Sequence, residues 1–296
     1  MNFTRREAIV AGAAVLLTNP LAAIEPIVRK TAKPHIRLSL AAYTFRKKLD
    51  LKKPEWTFID FIEYAASQGL DAVELTGYYF KSTDASYLAE LKLHSTRLGL
   101  DISGTAIGND FCVGTPEQLA TQIKTAKQWI EHTAMLGGKT IRFFAGKPAK
   151  NLDPTQAIQQ AIKALQECAE HAKKFGVFVA LENHGGITAE ADDMLKIVQG
   201  VQSDAFGVNL DTGNFRTADP YGDLAKLAPY AVNVQVKTDI FTKGKAKEEA
   251  NLGKFVEILN KVNYRGYVAL EYEGSEDPLV AVPKYLGELR SLLEKK

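Results

Sequence analysis

The chain has 296 residues, of which 46% are hydrophobic and 24% are charged, so it can bury a large core. Its 37 basic and 35 acidic residues leave a net charge of +2, which argues against a nucleic-acid or anionic-lipid partner. Only two cysteines are present, Cys112 and Cys168, which excludes a framework of disulfides. We expect both to pack as small hydrophobic side chains.

The first 23 residues have the pattern of an export signal. Arg5 and Arg6 precede an apolar run over residues 8–17 that is too short to cross a bilayer. Small residues follow at 19–23, as at a cleavage site. The paired arginines favour the twin-arginine route and hence a periplasmic or secreted protein. An ordinary Sec signal and an uncleaved anchor are the alternatives, and no later segment is long and apolar enough to span a membrane.

After residue 35, short apolar runs alternate with longer amphipathic ones. The short runs are rich in β-branched residues and bounded by glycine or polar residues, which is typical of buried parallel strands. They cover residues 36–43, 71–75, 100–107, 139–144, 177–182, 206–211, 231–237 and 266–273.

The intervening helices have clear start and stop signals. An N-cap residue followed by proline begins four of them, at Thr115-Pro116, Asp153-Pro154, Asp219-Pro220 and Asp277-Pro278. A glycine that can act as a C-cap precedes four strands, at Gly69, Gly99, Gly137 and Gly176. Strand and helix repeated about eight times indicate a parallel sheet with right-handed crossovers.

We therefore predict one α/β domain, a single (β/α)8 TIM barrel over residues 36–295. A doubly wound open sheet is the main alternative. That fold usually has a glycine-rich phosphate loop after its first strand, and the residues that follow the first run here, Tyr43 to Arg46, do not resemble one.

Active sites of such barrels lie at the C-terminal ends of the strands, and the last four predicted strands end in polar residues. These residues are Glu182, Asn183, His184, Asp211, Gln235, Lys237, Glu271 and Glu273. Carboxylates that meet at one mouth repel each other, and a divalent cation would remove that repulsion. Glu182, Asp211, Gln235 and Glu271 together form an oxygen-rich shell that suits Mn2+ or Mg2+. Co2+ and Zn2+ are weaker alternatives, because the shell lacks His and Cys.

Each residue alone has an ordinary structural explanation. Asp211 could cap a turn, and Gln235 could serve only as a hydrogen-bonded polar residue. Glu271 and Glu273 are two residues apart and so would face the same side of a strand, and we take only one of them as a ligand. We choose Glu271, because the repeated sequence VALE at 179–182 and 268–271 places it at the depth of Glu182. The four positions taken together predict a metal site.

Five further residues are candidates for contacts with the substrate. His184 is the one histidine at a strand end, and a structural role is its alternative. Lys237 lies two residues after Gln235, near the same strand end, and would hold a substrate hydroxyl or polarise a carbonyl. Tyr43, Glu74 and Asn109 are weaker candidates that would line the mouth.

The sequence resembles the xylose isomerase-like TIM barrel superfamily, which includes sugar and sugar-phosphate isomerases and epimerases. The segments that carry the resemblance are VALENHGG (179–186), GVNLDTGN (207–214), VNVQVKTD (232–239) and GYVALEYEG (266–274), with AVELTGYYF (72–80) and ISGTAIGNDF (102–111) upstream. The similarity covers most of the chain from about residue 36.

The resemblance to ketose 3-epimerases and hydroxypyruvate isomerases implies a particular ligand set. Their metal is held by a Glu, an Asp, a His or Gln, and a second Glu, which correspond to Glu182, Asp211, Gln235 and Glu271. In the epimerases the two glutamates also form the acid/base pair, and here that implies proton transfer by Glu182 and Glu271 through a cis-enediolate.

The chain departs from the epimerase pattern at residues that would contact the substrate rather than the metal. Asn214 stands where a histidine is expected, Lys237 where an arginine is expected, and His184 lies in an ENH run.

Four hypotheses about the function follow. The first is a metal-dependent isomerase or epimerase of a small sugar, as a monomer or homo-oligomer. The second is an exported enzyme that eliminates an aglycone from a keto-glycoside. The third is a non-catalytic carbohydrate-binding barrel. The fourth, an endonuclease-IV-type nuclease, is weak because its zinc cluster needs several histidines.

Overall fold

Eight parallel strands close into a barrel in the computed structural model, which describes residues 24–30 and 33–294. The barrel strands are β1 (His35–Ala41), β2 (Ala72–Thr76), β3 (Asp101–Ala106), β4 (Thr140–Phe143), β5 (Phe178–Glu182), β6 (Phe206–Asp211), β7 (Ala231–Val236) and β10 (Arg265–Leu270). Two residues each form β8 (Asp239–Ile240) and β9 (Glu248–Glu249), which pair antiparallel outside the barrel. The predicted export signal over residues 1–23 lies outside the described residues.

The barrel is closed because β1 pairs in parallel with both β2 and β10. An open, doubly wound sheet would have two edge strands, whereas each of the eight strands here pairs on both sides, so the predicted TIM barrel is confirmed. The helices are α1 (Phe58–Ser67), α2 (Ala85–Arg97), α3 (Pro116–Leu136), α4 (Pro154–Lys173), α5 (Ala191–Gly200), α6 (Pro220–Leu227), α7 (Leu252–Lys261) and α8 (Pro278–Glu294). Among the described residues, no helix combines the length and the apolar character needed to cross a membrane.

The predicted helix ends are present as hydrogen bonds and backbone angles. Asp153 begins α4 with a capping box, in which its side chain accepts from the N–H of Gln156 and the Gln156 side chain reciprocates. The side chains of Thr115, Asp219 and Asp277 likewise accept backbone N–H groups in the first turns of α3, α6 and α8. Gly137 ends α3 in the left-handed region, with φ of 79°, and the other three predicted C-cap glycines also have positive φ.

Successive side chains of β5, β6 and β7 point alternately toward the helices and toward the barrel interior. Leu181, Leu210 and Val234 belong to the buried apolar cluster between the strands and the helices. The residues that directly follow these three, Glu182, Asp211 and Gln235, are polar and face the barrel interior. Asn233 of β7 shows this directly, because it hydrogen-bonds to Glu74 of β2, a strand on another side of the barrel. Cys112 and Cys168 are buried free thiols, as expected.

The segment 24–30 packs under the barrel at the N-terminal ends of the strands. The N–H of Ile27 donates to the carbonyl of Pro229 at 3.0 Å. The Arg29 guanidinium donates to the carbonyl of Ala231, the first residue of β7, at 2.5 Å. The mouth at the opposite end of the barrel is therefore left free of this segment.

Candidate active site

The four predicted ligands meet at the C-terminal mouth of the barrel. Glu182 and Asp211 are the last residues of β5 and β6, Gln235 is next to last in β7, and Glu271 directly follows β10. All four are buried, with at most 6% of their surface exposed. Asp211 and Gln235 are register partners in adjacent strands.

Both carboxylate oxygens of Glu182 have partners. The Nε of Arg142, a buried residue of β4, lies 2.8 Å from Oε2. The side-chain amide of Asn214 donates to Oε1 at 2.9 Å. Burial raises the pKa of Glu182 above its usual range, Arg142 opposes this shift, and the charge of Asp211 adds to it. Glu182 is thus a fixed carboxylate whose proton affinity is set by burial and an adjacent guanidinium.

Asp211 has one satisfied and one unsatisfied oxygen. Its Oδ1 accepts the N–H of Gly213 at 2.8 Å, whereas Oδ2 is buried without a hydrogen-bond partner. Asn183 fixes the backbone of Asp211 from β5, because its amide donates to the Asp211 carbonyl and accepts the Asp211 N–H, both at 2.9 Å. Burial raises the pKa of Asp211 to about 6 despite the nearby Lys237. An unpaired buried carboxylate oxygen is costly, so Oδ2 needs a cation or a donor.

The ammonium group of Lys237 lies among three carboxylates. Its Nζ is 3.5 Å from Asp211 Oδ2 and 3.4 Å from Glu271 Oε1, and it also contacts Glu273. Only 12% of its side chain is exposed. Burial alone would lower the pKa of Lys237, but the charges of Asp211, Glu271 and Glu182 raise it overall. Lys237 is therefore a stable positive charge inside the site.

A closed ring of hydrogen bonds lies beneath the mouth. Glu74 accepts the side-chain amides of Asn233 at 2.8 Å and Gln235 at 2.5 Å. The amide of Asn209 donates to Gln235 Oε1 at 2.6 Å, and Asn209 Oδ1 accepts from Asn233 at 2.7 Å. Burial raises the pKa of Glu74 to about 7, and Glu271 adds to the shift. The ring fixes the orientation of the Gln235 amide, with Nε2 toward Glu74.

The other predicted substrate residues occupy different depths. Glu74 is 1% exposed and lies in this ring rather than on the rim. Asn109 uses both polar atoms on the backbone of Phe144, donating to its carbonyl at 2.8 Å and accepting its N–H at 3.0 Å. The ring of His184 is exposed and stacks on Phe144 with 4.1 Å between centroids. Tyr43 is half-buried beside Tyr78, with its ring 6.5 Å away.

Arg142 is the main residue of the candidate site that the sequence pattern did not predict. It also donates to the carbonyl of Ile107 at 2.8 Å and lies 4.0 Å above the ring of Phe144. The one indication of it in the sequence is a charged residue inside the predicted strand run KTIRFF. Asn209 and Asn233 were missed as well, although each stands two residues before a predicted ligand and therefore faces the same side of its strand.

The charged groups of the mouth leave an excess of negative charge. The ion pairs of the mouth join four carboxylates to two cations. The carboxylates are those of Glu182, Asp211, Glu271 and Glu273, and the cations are Arg142 and Lys237. Two negative charges remain when all are ionised, and Lys237 is the cation that faces Asp211 Oδ2. Carboxylate and amide oxygens are the ligands that hard divalent ions prefer. Within the described residues, however, no three His, Cys, Asp or Glu side chains are arranged to hold an ion. The ammonium of Lys237 lies between two of the donors.

The loop after β5 depends on two glycines that differ in one respect. Gly185 and Gly186 both have positive φ, of 68° and 54°. A Cβ on Gly186 would lie 2.1 Å from the carbonyl oxygen of Gly146, whereas one on Gly185 would meet nothing within 4 Å.

We expect Gly185→Ala to lower the free energy of unfolding by about 1 kcal/mol through its backbone conformation alone. Gly186→Ala should cost about 1–3 kcal/mol more, because the backbone of Gly146 must move. Urea denaturation of the two variants checks this, and equal losses would contradict the close approach.

The chain belongs to the xylose isomerase-like TIM barrel family, whose family model matches residues 62–295. No curated protein matches it in sequence. Among solved structures it is similar to a D-psicose 3-epimerase from Clostridium cellulolyticum H10, with a TM-score of 0.70 and 15% identity over 87% of this chain and 99% of that one.

Two other solved structures have the same fold at similar distance. A 3-keto-D-glucoside 4-epimerase from E. coli has a TM-score of 0.68 and 19% identity over 86% of this chain and 99% of that one. A probable 3-DHS dehydratase from Bacillus anthracis has a TM-score of 0.64 and 18% identity over 85% of this chain and 98% of that one. Identities this low establish the fold and leave the reaction to be argued from the site.

Proposed function

We propose that the chain is a divalent-metal-dependent sugar isomerase or epimerase that moves a carbon-bound proton through a cis-enediolate. The observation that carries the proposal is the meeting of two buried glutamates, Glu182 and Glu271, with Asp211 and Gln235 at one mouth. Membership of the xylose isomerase-like family supports it, as does similarity to the D-psicose 3-epimerase.

The two glutamates have different partners, which suits an acid/base pair. Glu182 is held by Arg142 and Asn214, and Glu271 by Lys237. The pKa of Glu182 is raised by burial, which favours a carboxyl group that can both accept and return a proton. Glu182 would take the proton from one face of the substrate, and Glu271 would deliver one to the other face or return it to the adjacent carbon.

Glu182, Asp211, Gln235 and Glu271 would hold the metal, and Mn2+ or Mg2+ fits these oxygen donors best. When bound, it would supply electrophilic stabilisation of the negative charge that develops on the substrate oxygen during enolisation. Asp211 would contribute Oδ2, which accepts no hydrogen bond, and the hydrogen-bonded ring below keeps the Gln235 amide in one orientation.

The rim offers contacts for a small polyhydroxy substrate. A cavity of about 280 Å³ is lined by His184, Asn214 and Arg216. Its volume suits a small molecule such as a monosaccharide rather than a polymer. The proposed twin-arginine signal over residues 1–23 would place the enzyme in the periplasm or outside the cell, where free sugars rather than sugar phosphates are the accessible substrates.

Solvent exchange tests the proposal directly. The purified protein is loaded with Mn2+ and incubated in D2O with a panel of free ketoses, aldoses and keto-glycosides, and each sugar is then examined by NMR. We expect deuterium at a carbon next to the carbonyl of at least one sugar, and loss of that exchange on chelation or in Glu271→Gln. Binding without any exchange would contradict enzymatic proton transfer and favour a carbohydrate-binding barrel.

Elimination from a keto-glycoside is the second candidate. Similarity to the 3-keto-D-glucoside 4-epimerase and to the probable 3-DHS dehydratase supports it, since the first acts on a keto-sugar and the second is named for an elimination. The same proton abstraction would then be followed by loss of the group two carbons from the carbonyl. Chromatography of the products separates the two candidates, because a free aglycone forms only in the elimination.

A further inference from the structure

We infer that Lys237 is the resident cation of the carboxylate cluster at the mouth, and that a divalent ion binds only as the Lys237 ammonium moves out of that cluster toward Glu273. The inference rests on the proposed metal dependence and deepens it, since it concerns how the same site takes up the ion.

The first step is that Lys237 uses oxygens that the ion would need. Its Nζ lies 3.5 Å from Asp211 Oδ2 and 3.4 Å from Glu271 Oε1, and both residues are proposed ligands. Asp211 Oδ2 has no hydrogen-bond partner, so the ammonium is its nearest source of positive charge. An ammonium and a divalent ion placed at the same oxygens would repel each other strongly in a buried site.

The second step is that the structure provides a place for the displaced ammonium. Glu273 already contacts Nζ, and its side chain is 37% exposed on the rim. A cavity of about 180 Å³ is lined by Lys237, Glu273, Gly213 and Arg216. The ammonium can therefore keep one carboxylate partner while it leaves the other two.

The third step is that only the side chain has to move. The backbone N–H of Lys237 is fixed to Thr212 Oγ1 at 2.9 Å. The stem of the side chain passes over Gly213, where an added Cβ would lie 2.7 Å from its Cβ and Cγ. A residue with a side chain at position 213 would press on this stem, so glycine leaves the lysine room to change its rotamer.

Metal affinity tests the inference without any measurement of turnover. Mn2+ is titrated into the full chain and followed by calorimetry and by the EPR signal of free Mn2+. We expect Lys237→Met to bind Mn2+ at least about tenfold more tightly than the wild type, because the competing charge is gone. We expect Glu273→Gln to bind more weakly, because Lys237 loses its outer partner. Lys247→Met is the matched control, since Lys247 pairs with Asp239 at 2.6 Å on the same rim, and it should leave the affinity unchanged.

A second measurement uses only the wild-type protein. An amine-reactive acetylating reagent followed by peptide mapping should modify Lys237 faster when Mn2+ is present, with no change at Lys247. Unchanged labelling, or a Lys237→Met variant that folds and binds Mn2+ no more tightly than the wild type, overturns the inference alone. Failure of every folded variant to bind Mn2+ overturns the proposed metal dependence together with it.

Discussion

Glu182→Gln is expected to lower turnover by about a thousandfold, within the range found when a general acid/base group is removed. Glutamine keeps the shape of the side chain and can still hydrogen-bond to Asn214, but it cannot accept a proton or offer a charged oxygen to a cation. Solvent deuterium exchange into the best substrate should fall with turnover, and Mn2+ affinity should weaken in the same variant.

The matched control is Glu167→Gln on α4. Glu167 is exposed and pairs with Lys127 on the outside of the barrel, far from the mouth. Turnover by this variant should equal that of the wild type. Circular dichroism of both variants shows whether the barrel has folded. A folded Glu182→Gln protein with wild-type exchange and Mn2+ affinity would remove Glu182 from the proposed site.

Arg142→Met is expected to reduce the free energy of unfolding by about 3–5 kcal/mol, since it leaves a buried carboxylate without its counter-charge. The Arg142 and Glu182 side chains are only 7% and 4% exposed, and their contact is 2.8 Å. Methionine fills much of the same volume, so the loss reports charge more than packing. Burial raises the pKa of Glu182 to about 8, so the loss should be largest above that pH and shrink as the pH falls below it, where a protonated Glu182 needs no counter-charge.

Urea denaturation of three further proteins isolates the cause. Lys127→Met breaks an exposed ion pair of 2.7 Å and should cost less than about 1 kcal/mol. The double variant Arg142→Met/Glu182→Gln removes both charges and should recover part of the loss, with Glu182→Gln alone completing the cycle. Equal losses in Arg142→Met and Lys127→Met would show that the buried pair carries no special stability.

Features set by local pattern could be predicted from the sequence. The alternation of apolar runs and amphipathic helices indicated the barrel, and the N-cap at Asp153 and the C-cap at Gly137 lie where the helix signals placed them. The strand-end positions of Glu182 and Asp211 followed from the same pattern, because parallel strands of a barrel present their C-terminal ends at one mouth.

Features that depend on closure of the barrel could not be predicted in this way. Glu74 and Gln235 are 161 residues apart and meet only because β2 and β7 face the same interior. Arg142 differs, because it lies on β4 beside β5, where its register partner Ala180 stands two residues before Glu182. Alternation could not separate Glu271 from Glu273, because residues two apart face the same side of a strand, and in the structure both reach Lys237.

The position of the described chain ends has a practical consequence. The segment 24–30 lies beneath the barrel, where the N–H of Ile27 donates to the carbonyl of Pro229. Near the end of α8, the Arg290 guanidinium donates at 3.2 Å to the carbonyl of Gly69, which stands just before β2. Both ends thus lie at the base, opposite the carboxylates. Immobilising the protein on a sensor or resin through a residue of segment 24–30 or near the end of α8 would orient the mouth toward the solution, so sugars and metal ions could be screened on a tethered sample.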